Sequence, residues 1–511
     1  MPRLGARVDQ KFLPVRSSVS HRSRPTLKEF NVKVLFSAPS FRMRSLFLLA
    51  GLLAVLGLLG GGIAPLSGNH STALAQTTST PNRAADPVVL TGADVPGLNG
   101  IAPASLVAFR YTTDWQQIPL QVDERAVVDL GTVYNSTPTG VKVLSYTDPR
   151  TFTGADPDAT LDQDDEIALM VKDSGGKAPY LSEPAGNVVV PRSGVEVTIT
   201  DPLSPAQASY VYLFKQTGAL SQGAGKQYVS YQFNLLSGDY KATYKTNNGP
   251  NPENSVITSP SFYSHHFADR WIDDELHVFA GTANRADILD RHKNLFAPGD
   301  CMRSEDTFSS AEGAFVVNKS GPVRAIRAYL GANSGPLTER QHIFYEQRQE
   351  ITTFLRVHAI GGMMDFFDYS PAAKGMKYYN DLNRAGVTID GLGDAVGAGP
   401  IQWEMVNGAQ GALAISHAIA TDIPGFAYSS YYLDASTRPA DRQCTGDKAA
   451  YGSSGTWITQ GIACTDPSKG CTNNLTSTRT ISYEAPGLTA PGAEQRNKQV
   501  NHPLTYTVQS W

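Results

Sequence analysis

From about residue 87 onward, apolar and polar residues alternate with a period of two along much of the chain. This spacing turns one face of a strand to a core and the other to water. VVLTG from Val88, SLVAFRYT from Ser105, IPLQVDE from Ile118, VEVTITD from Val195, SYVYLFK from Ser209 and KQYVSYQFNLL from Lys226 are short and rich in β-branched and aromatic residues. Gly, Pro, Asn or Asp bound them, so they predict strands. Longer units follow: GAFVVNK from Gly313, GPVRAIRAYLG from Gly321, QHIFYEQRQEITTFLRVHAIGG from Gln341 and QGALAISHAIA from Gln410. Sustained helical spacing is scarce. The pattern predicts an all-β chain of antiparallel β-sandwich domains, the second a large sandwich.

The segment TNNGPNPENS, residues 246–255, is polar and full of breakers, and it reads as a linker. The chain is longer than one core ordinarily supports. The expected division is an N-terminal β-sandwich over 76–245 and a C-terminal one over 256–511.

SLFLLAGLLAVLGLL, from Ser45, is apolar and uncharged, follows Arg42 and Arg44, and precedes the small-residue site Ala73-Leu74-Ala75. A basic start, an apolar stretch and an A-x-A site describe a secretory signal. The stretch is short for a bilayer span of about twenty residues, so cleavage is expected over a retained anchor, leaving no stable membrane span. Translation from Met43 and a long charged leader both remain open for the residues before it, and 1–75 as a whole reads as leader and signal.

The whole chain carries 43 basic and 47 acidic residues. Residues 1–75 hold ten of the basic and two of the acidic ones, so the remainder has 33 against 45, a net charge near −12. Such a surface repels phosphate backbones and argues against a nucleic-acid partner. It suits a secreted or cell-surface protein and one that collects cations. The four cysteines, Cys301, Cys444, Cys464 and Cys471, follow the signal and have no C-x-x-C spacing. They predict disulfides rather than zinc, with Cys464 and Cys471 closing a short loop.

In GADPDATLDQDDE, from Gly154, carboxylates crowd ahead of the apolar IALMV. Taking Asp158 as position five of a calcium loop puts Asp156 at three, the Thr160 carbonyl at seven, Asp162 at nine and Asp165 at twelve. Gly154 at position one and Ala159 at position six depart from that pattern. A bound Ca²⁺ and a solvated acidic turn both fit.

YSHHFADRWIDDELH, from Tyr263, would put His265, Asp269 and Asp273 on one face if helical, a metal-like spacing. A polar sheet edge packing Trp271 is the commoner outcome. In LRVHAI, alternation puts Arg356 and His358 opposite Leu355 and Val357, facing either a cleft or plain solvent. Glu305, Asp306, Glu312, Asp365 and Asp368 supply carboxylates for a hydrolase pair. No G-x-S-x-G elbow, P-loop or dinucleotide fingerprint occurs.

The stretch from Arg303 to Tyr369, with GPVRAIRAY and TFLRVHAI, resembles the large sandwiches of the galactose-mutarotase-like type, shared by many secreted polysaccharide lyases. The IPLQVDE and LDQDDE segments of the first half resemble secreted bacterial proteins of unassigned activity. The first resemblance implies a carbohydrate-active protein acting on or binding an extracellular polysaccharide. Lyase chemistry would need a cation or Arg to neutralise a uronate and a Tyr or His to move a proton, whereas glycoside hydrolysis would use two carboxylates. The resemblance carries no catalytic residues over; from the strand pattern, Arg356, His358 and Tyr345 are the candidates for the chemistry. The alternative is a non-catalytic cell-surface or matrix protein with a structural calcium site.

Overall fold

Strand alternation is carried into the structure most plainly at Arg348–Arg356. Gln349, Ile351, Thr353 and Leu355 are buried there, while Arg348, Glu350, Thr352, Phe354 and Arg356 face outward. The computed structural model describes residues 83–511 apart from 247–249, 284, 297–302, 312, 357–359, 424, 438–441 and 460–473. Leader, signal, Cys301, Glu312, His358, Cys464 and Cys471 therefore lie outside the described residues. Cys444, the one described cysteine, packs beside Leu295, Met364, Phe366 and Tyr431.

The all-β antiparallel class holds. The largest sheet has nine strands in the order Ala314–Ser320, Ala325–Leu330, Thr338–Phe344, Arg348–Arg356, Asn474–Glu484, Gly411–Thr421, Trp403–Gly408, Lys377–Asn380 and Val387–Thr388. Its inner face packs on two four-stranded sheets, one centred on Met363–Tyr369 and one on Ser255–Ser259 and Tyr263–Asp269. A shared core runs through Phe267, Trp271, Phe344, Ile351, Phe367, Ile415, Ile481 and Tyr483. The long unit from Gln341 proves to be a hairpin, because Tyr345 N–H bonds the Arg348 carbonyl and Phe344 pairs with Gln349. The polar run Tyr345-Glu346-Gln347 breaks the alternation there, and the chain reverses.

The N-terminal part builds a five-stranded and a three-stranded sheet around Val88, Leu106, Ile118, Ile167, Val197 and Leu213. A separate two-stranded ribbon, Arg125–Asp129 with Lys142–Tyr146, flanks them. Two features differ from a pair of domains joined by a spacer. Asn251 and Glu253 are buried, and Ser255–Ser259 takes a neighbour from before the expected linker, Ser230–Gln232. Glu253 accepts both Arg327 nitrogens at 2.6 and 2.9 Å, a pairing that makes its burial tolerable in a segment whose polarity suggested solvent. At the other end, Thr505–Ser510 pairs with Val195–Thr200, so the last strand completes the five-stranded N-terminal sheet. The described residues group as one compact unit.

Candidate functional site

Three segments far apart in sequence meet at Arg324. IPLQVDE supplies Gln121 and Asp123, LDQDDE supplies Glu166, and GPVRAIRAY supplies the arginine itself. Gln121 Oε1 accepts the backbone N–H groups of Val323 and Arg324 at 3.1 and 3.0 Å, fixing the turn that delivers the side chain. Arg324 Nε then donates to Asp123 at 2.8 Å and Nη2 to Glu166 at 2.7 Å, while Nη1 donates to the Tyr345 hydroxyl at 3.2 Å. From the ribbon, Tyr146 donates to Glu166 at 2.6 Å and Arg125 Nη1 to the other Glu166 oxygen at 2.6 Å.

Arg125, Tyr146, Glu166, Arg324 and Tyr345 line a surface cavity of about 360 Å³. Val89, Leu144, Ile343 and Phe354 add apolar surface to it, and Gln341 and Glu350 add polar groups. The volume falls within the range of small-ligand sites, which run from about 300 to 1,000 Å³. Leu144 and its cross-strand partner Val127 are among the exposed large apolar side chains, so the ribbon brings apolar surface to the cavity's rim.

Burial opposes ionisation of Glu166, but Arg324 and then Arg125 outweigh it and hold the carboxyl below its ordinary range. Burial pushes the Tyr345 hydroxyl up to about 12 despite the nearby Arg324, and it pushes Tyr146 well above the ordinary tyrosine value. At neutral pH the cluster around Arg324 is thus one ionised glutamate, charged guanidiniums and protonated phenols. Tyr345 accepts from Arg324, which leaves its own proton to donate.

The acidic loop adjoins this cluster. Asp165 accepts the backbone N–H groups of Arg125 and Asp162 at 2.9 and 3.0 Å, and Arg125 Nε reaches the Asp164 carbonyl at 2.5 Å. Carboxylate oxygens of Asp162, Asp164 and Asp165 lie within 4.8 Å of one another. Burial, and then Asp162 and Asp165, push Asp164 up to about 6. Of the residues expected to bind calcium, Asp162 and Asp165 are in this group and Asp164 joins them. Asp156 caps the Asp158 N–H at 2.9 Å, and Asp158 accepts the Thr160 N–H and hydroxyl at 3.1 and 2.8 Å, so these close turns along the same loop.

Of the expected catalytic residues, Tyr345 lines the cavity and Arg356 does not: it stands one outward position beyond the cavity-lining Phe354, about 6.6 Å along the strand at roughly 3.3 Å per residue, while His358 lies outside the described residues. There Arg356 pairs with Glu339 at 2.8 Å. His265 and Asp273 meet across a hairpin at 3.0 Å, not on a helix, and Trp271 is buried against Phe308 and Tyr329.

Asp365, offered as a hydrolase carboxylate, lies deep between the sheets. His292 Nε2, Arg340 and Arg479 approach it at 2.7, 2.8 and 3.0 Å. Burial alone would raise its pKa, but Arg340, His292 and Arg479 hold it well below the carboxylate range. Burial, aided by Arg340 and Arg479 against the pull of Asp365, lowers His292 to about 4. A neutral imidazole touching a carboxylate at 2.7 Å must carry its proton on Nε2. Glu404, 3.8 Å from Arg479 Nη2, supplies the second carboxylate that balances the two guanidiniums inside the sandwich, and none of these residues lines the cavity over Arg324.

No family model matches the chain, and no curated protein matches it. Several solved structures are similar, two of them as follows. One is a putative aldose 1-epimerase from Escherichia coli K12, with 11% identity and a TM-score of 0.26, over 44% of this chain and 97% of that one. The other is an alpha-mannosidase from Enterococcus faecalis V583, with 9% identity and a TM-score of 0.37, over 83% of this chain. The match spans 43% of the mannosidase chain. Both TM-scores fall below 0.5, so the case for a function rests on the cleft itself.

Proposed function

We propose that the cleft over Arg324 binds a carbohydrate outside the cell. The observation that carries this reading is one cavity lined by both hydrogen-bonding groups (Arg125, Glu166, Tyr345, Glu350) and apolar side chains (Val89, Leu144, Ile343, Phe354). A sugar ring offers the matching pair of surfaces: hydroxyls that donate and accept around its edge, and C–H faces that leave water favourably. Glu166 and Glu350 accept, while Arg125 and the Tyr345 hydroxyl donate.

Tyr345 serves this reading as a donor and not as a base. Removing its proton at pH 7 from a group at about 12 costs about 7 kcal/mol. A proton-abstracting lyase step at this tyrosine is disfavoured, so recognition leads and turnover is the further outcome to measure. Export, polysaccharide as the natural target, and Ca²⁺ on Asp162, Asp164 and Asp165 complete the proposal. Hard oxygen ligands in a flexible loop suit calcium, and the loop's grip on Arg125 would couple the ion to the cleft.

The test is a glycan screen of the purified protein, followed by calorimetry with Tyr345→Phe and Glu166→Gln. Binding lost or weakened in both variants supports the reading. Binding unchanged in both places the carbohydrate elsewhere, and no binding to any glycan removes the proposal.

A further inference from the structure

A second cavity, of about 320 Å³, opens beside the cleft, and Val89 lines both. Arg348 lines the second cavity and Glu350 lines the cleft. The two residues share the outer face of one strand, about 6.6 Å apart along it. Arg348 Nη2 and Glu350 Oε1 meet at 2.8 Å, so the partition consists of one valine side chain and one ion pair. On its other side Arg348 Nη1 donates to Asp86, in the second cavity, at 3.2 Å.

The guanidinium is thus clamped from both sides, yet its Nε–H is buried without an acceptor. Buried donors are usually satisfied; the Nε–H groups of Arg270, Arg291, Arg327 and Arg479 also lack a hydrogen-bond acceptor, but of these five arginines only Arg348 lines either cavity, where an oxygen of a bound ligand can approach it. The neighbouring Arg83 is already spent: it binds Asp86 and Asp201 and the carbonyls of Gln499 and His502, tying the C-terminal segment to the first sheet. Tyr506, half-buried on the last strand, brings an aromatic face and a hydroxyl to the second cavity.

We infer that the two cavities are adjacent subsites of one groove, and that its ligand is an oligosaccharide of at least two sugar units, with Arg348 donating from Nε to an oxygen at the junction. The inference rests on the carbohydrate reading of the cleft and adds the length of the ligand to it. The second subsite also explains why the last strand must return to the first sheet, since Tyr506 reaches the groove only from there.

The experiment is calorimetry on the full-length protein with neutral and uronate oligosaccharide series of one to six units. Affinity is expected to rise about tenfold or more from one unit to two or three, the range of one hydrogen bond to a charged donor plus added contact. Arg348→Lys keeps a cation between Asp86 and Glu350 but has no Nε–H, and it should abolish most of that rise while leaving single-unit binding intact. Tyr506→Phe, on a partly exposed residue that does not threaten folding, should reduce the rise alone. Equal affinity for one unit and for longer chains overturns the inference and leaves the cleft reading standing. Length-dependent binding that neither variant alters overturns it too, and failure of every sugar to bind removes both.

Discussion

Acidification is a sharp probe of the sandwich interior because His292 is fully buried and neutral. In the unfolded chain an imidazole binds a proton near pH 6.5, whereas in the folded protein this one does so only at about 4. The folded pKa is depressed, so the unfolded state binds more protons between those values, and stability falls as the pH falls through that window. That gap corresponds to about 3 kcal/mol, a large share of a typical folding free energy of about 5–15 kcal/mol. His342, buried and also held neutral, adds to the loss with the same sign. The assay is urea unfolding at half-unit steps from pH 7.5 to 4, on the wild type and on His292→Gln. Glutamine keeps a donor for Asp365 without a titrating ring, so the variant's stability curve should be shallower by about 3 kcal/mol over the window. Parallel curves would show that His292 is not held neutral by this network, and the assigned tautomer would fall with it.

Arg327→Met should destabilise by about 3–5 kcal/mol, because Glu253 would remain buried without its partner; equilibrium unfolding measures this, and a loss under 1 kcal/mol contradicts the pairing. Calcium should raise the melting temperature and EDTA lower it, with Asp164→Asn or Asp165→Asn removing the response; an unmoved melting temperature in wild type argues for a solvated turn. Tyr345→Phe should change stability by no more than about 1 kcal/mol while weakening sugar binding about fivefold or more, and calorimetry separates the two effects.

The fold class was legible because alternation is local: the burial of Gln349, Ile351, Thr353 and Leu355 against their outward neighbours repeats the written pattern. The buried stretch around Glu253 was less so. There a polar residue that suggests solvent is satisfied by Arg327, 74 positions away, which leaves no spacing to read. The cleft shows the same limit. Its segments IPLQVDE, LDQDDE and GPVRAIRAY each stand out in the sequence, but only the tertiary fold brings Asp123 and Glu166 each within 3 Å of Arg324. Sequence alternation chose Arg356 from the same strand face as Glu350 and Phe354, one outward position and about 6.6 Å along the strand beyond the cavity-lining Phe354.

The central claim is that sugar is held over Arg324, and the most direct measurement is the difference in glycan affinity between wild type and Glu166→Gln at constant pH and salt. Glu166 is the acceptor on which Arg324, Arg125 and Tyr146 all converge, so its neutral amide should disorder that cluster and lower affinity about tenfold or more. Equal affinity in the two proteins, with the variant folded by circular dichroism, would contradict the account.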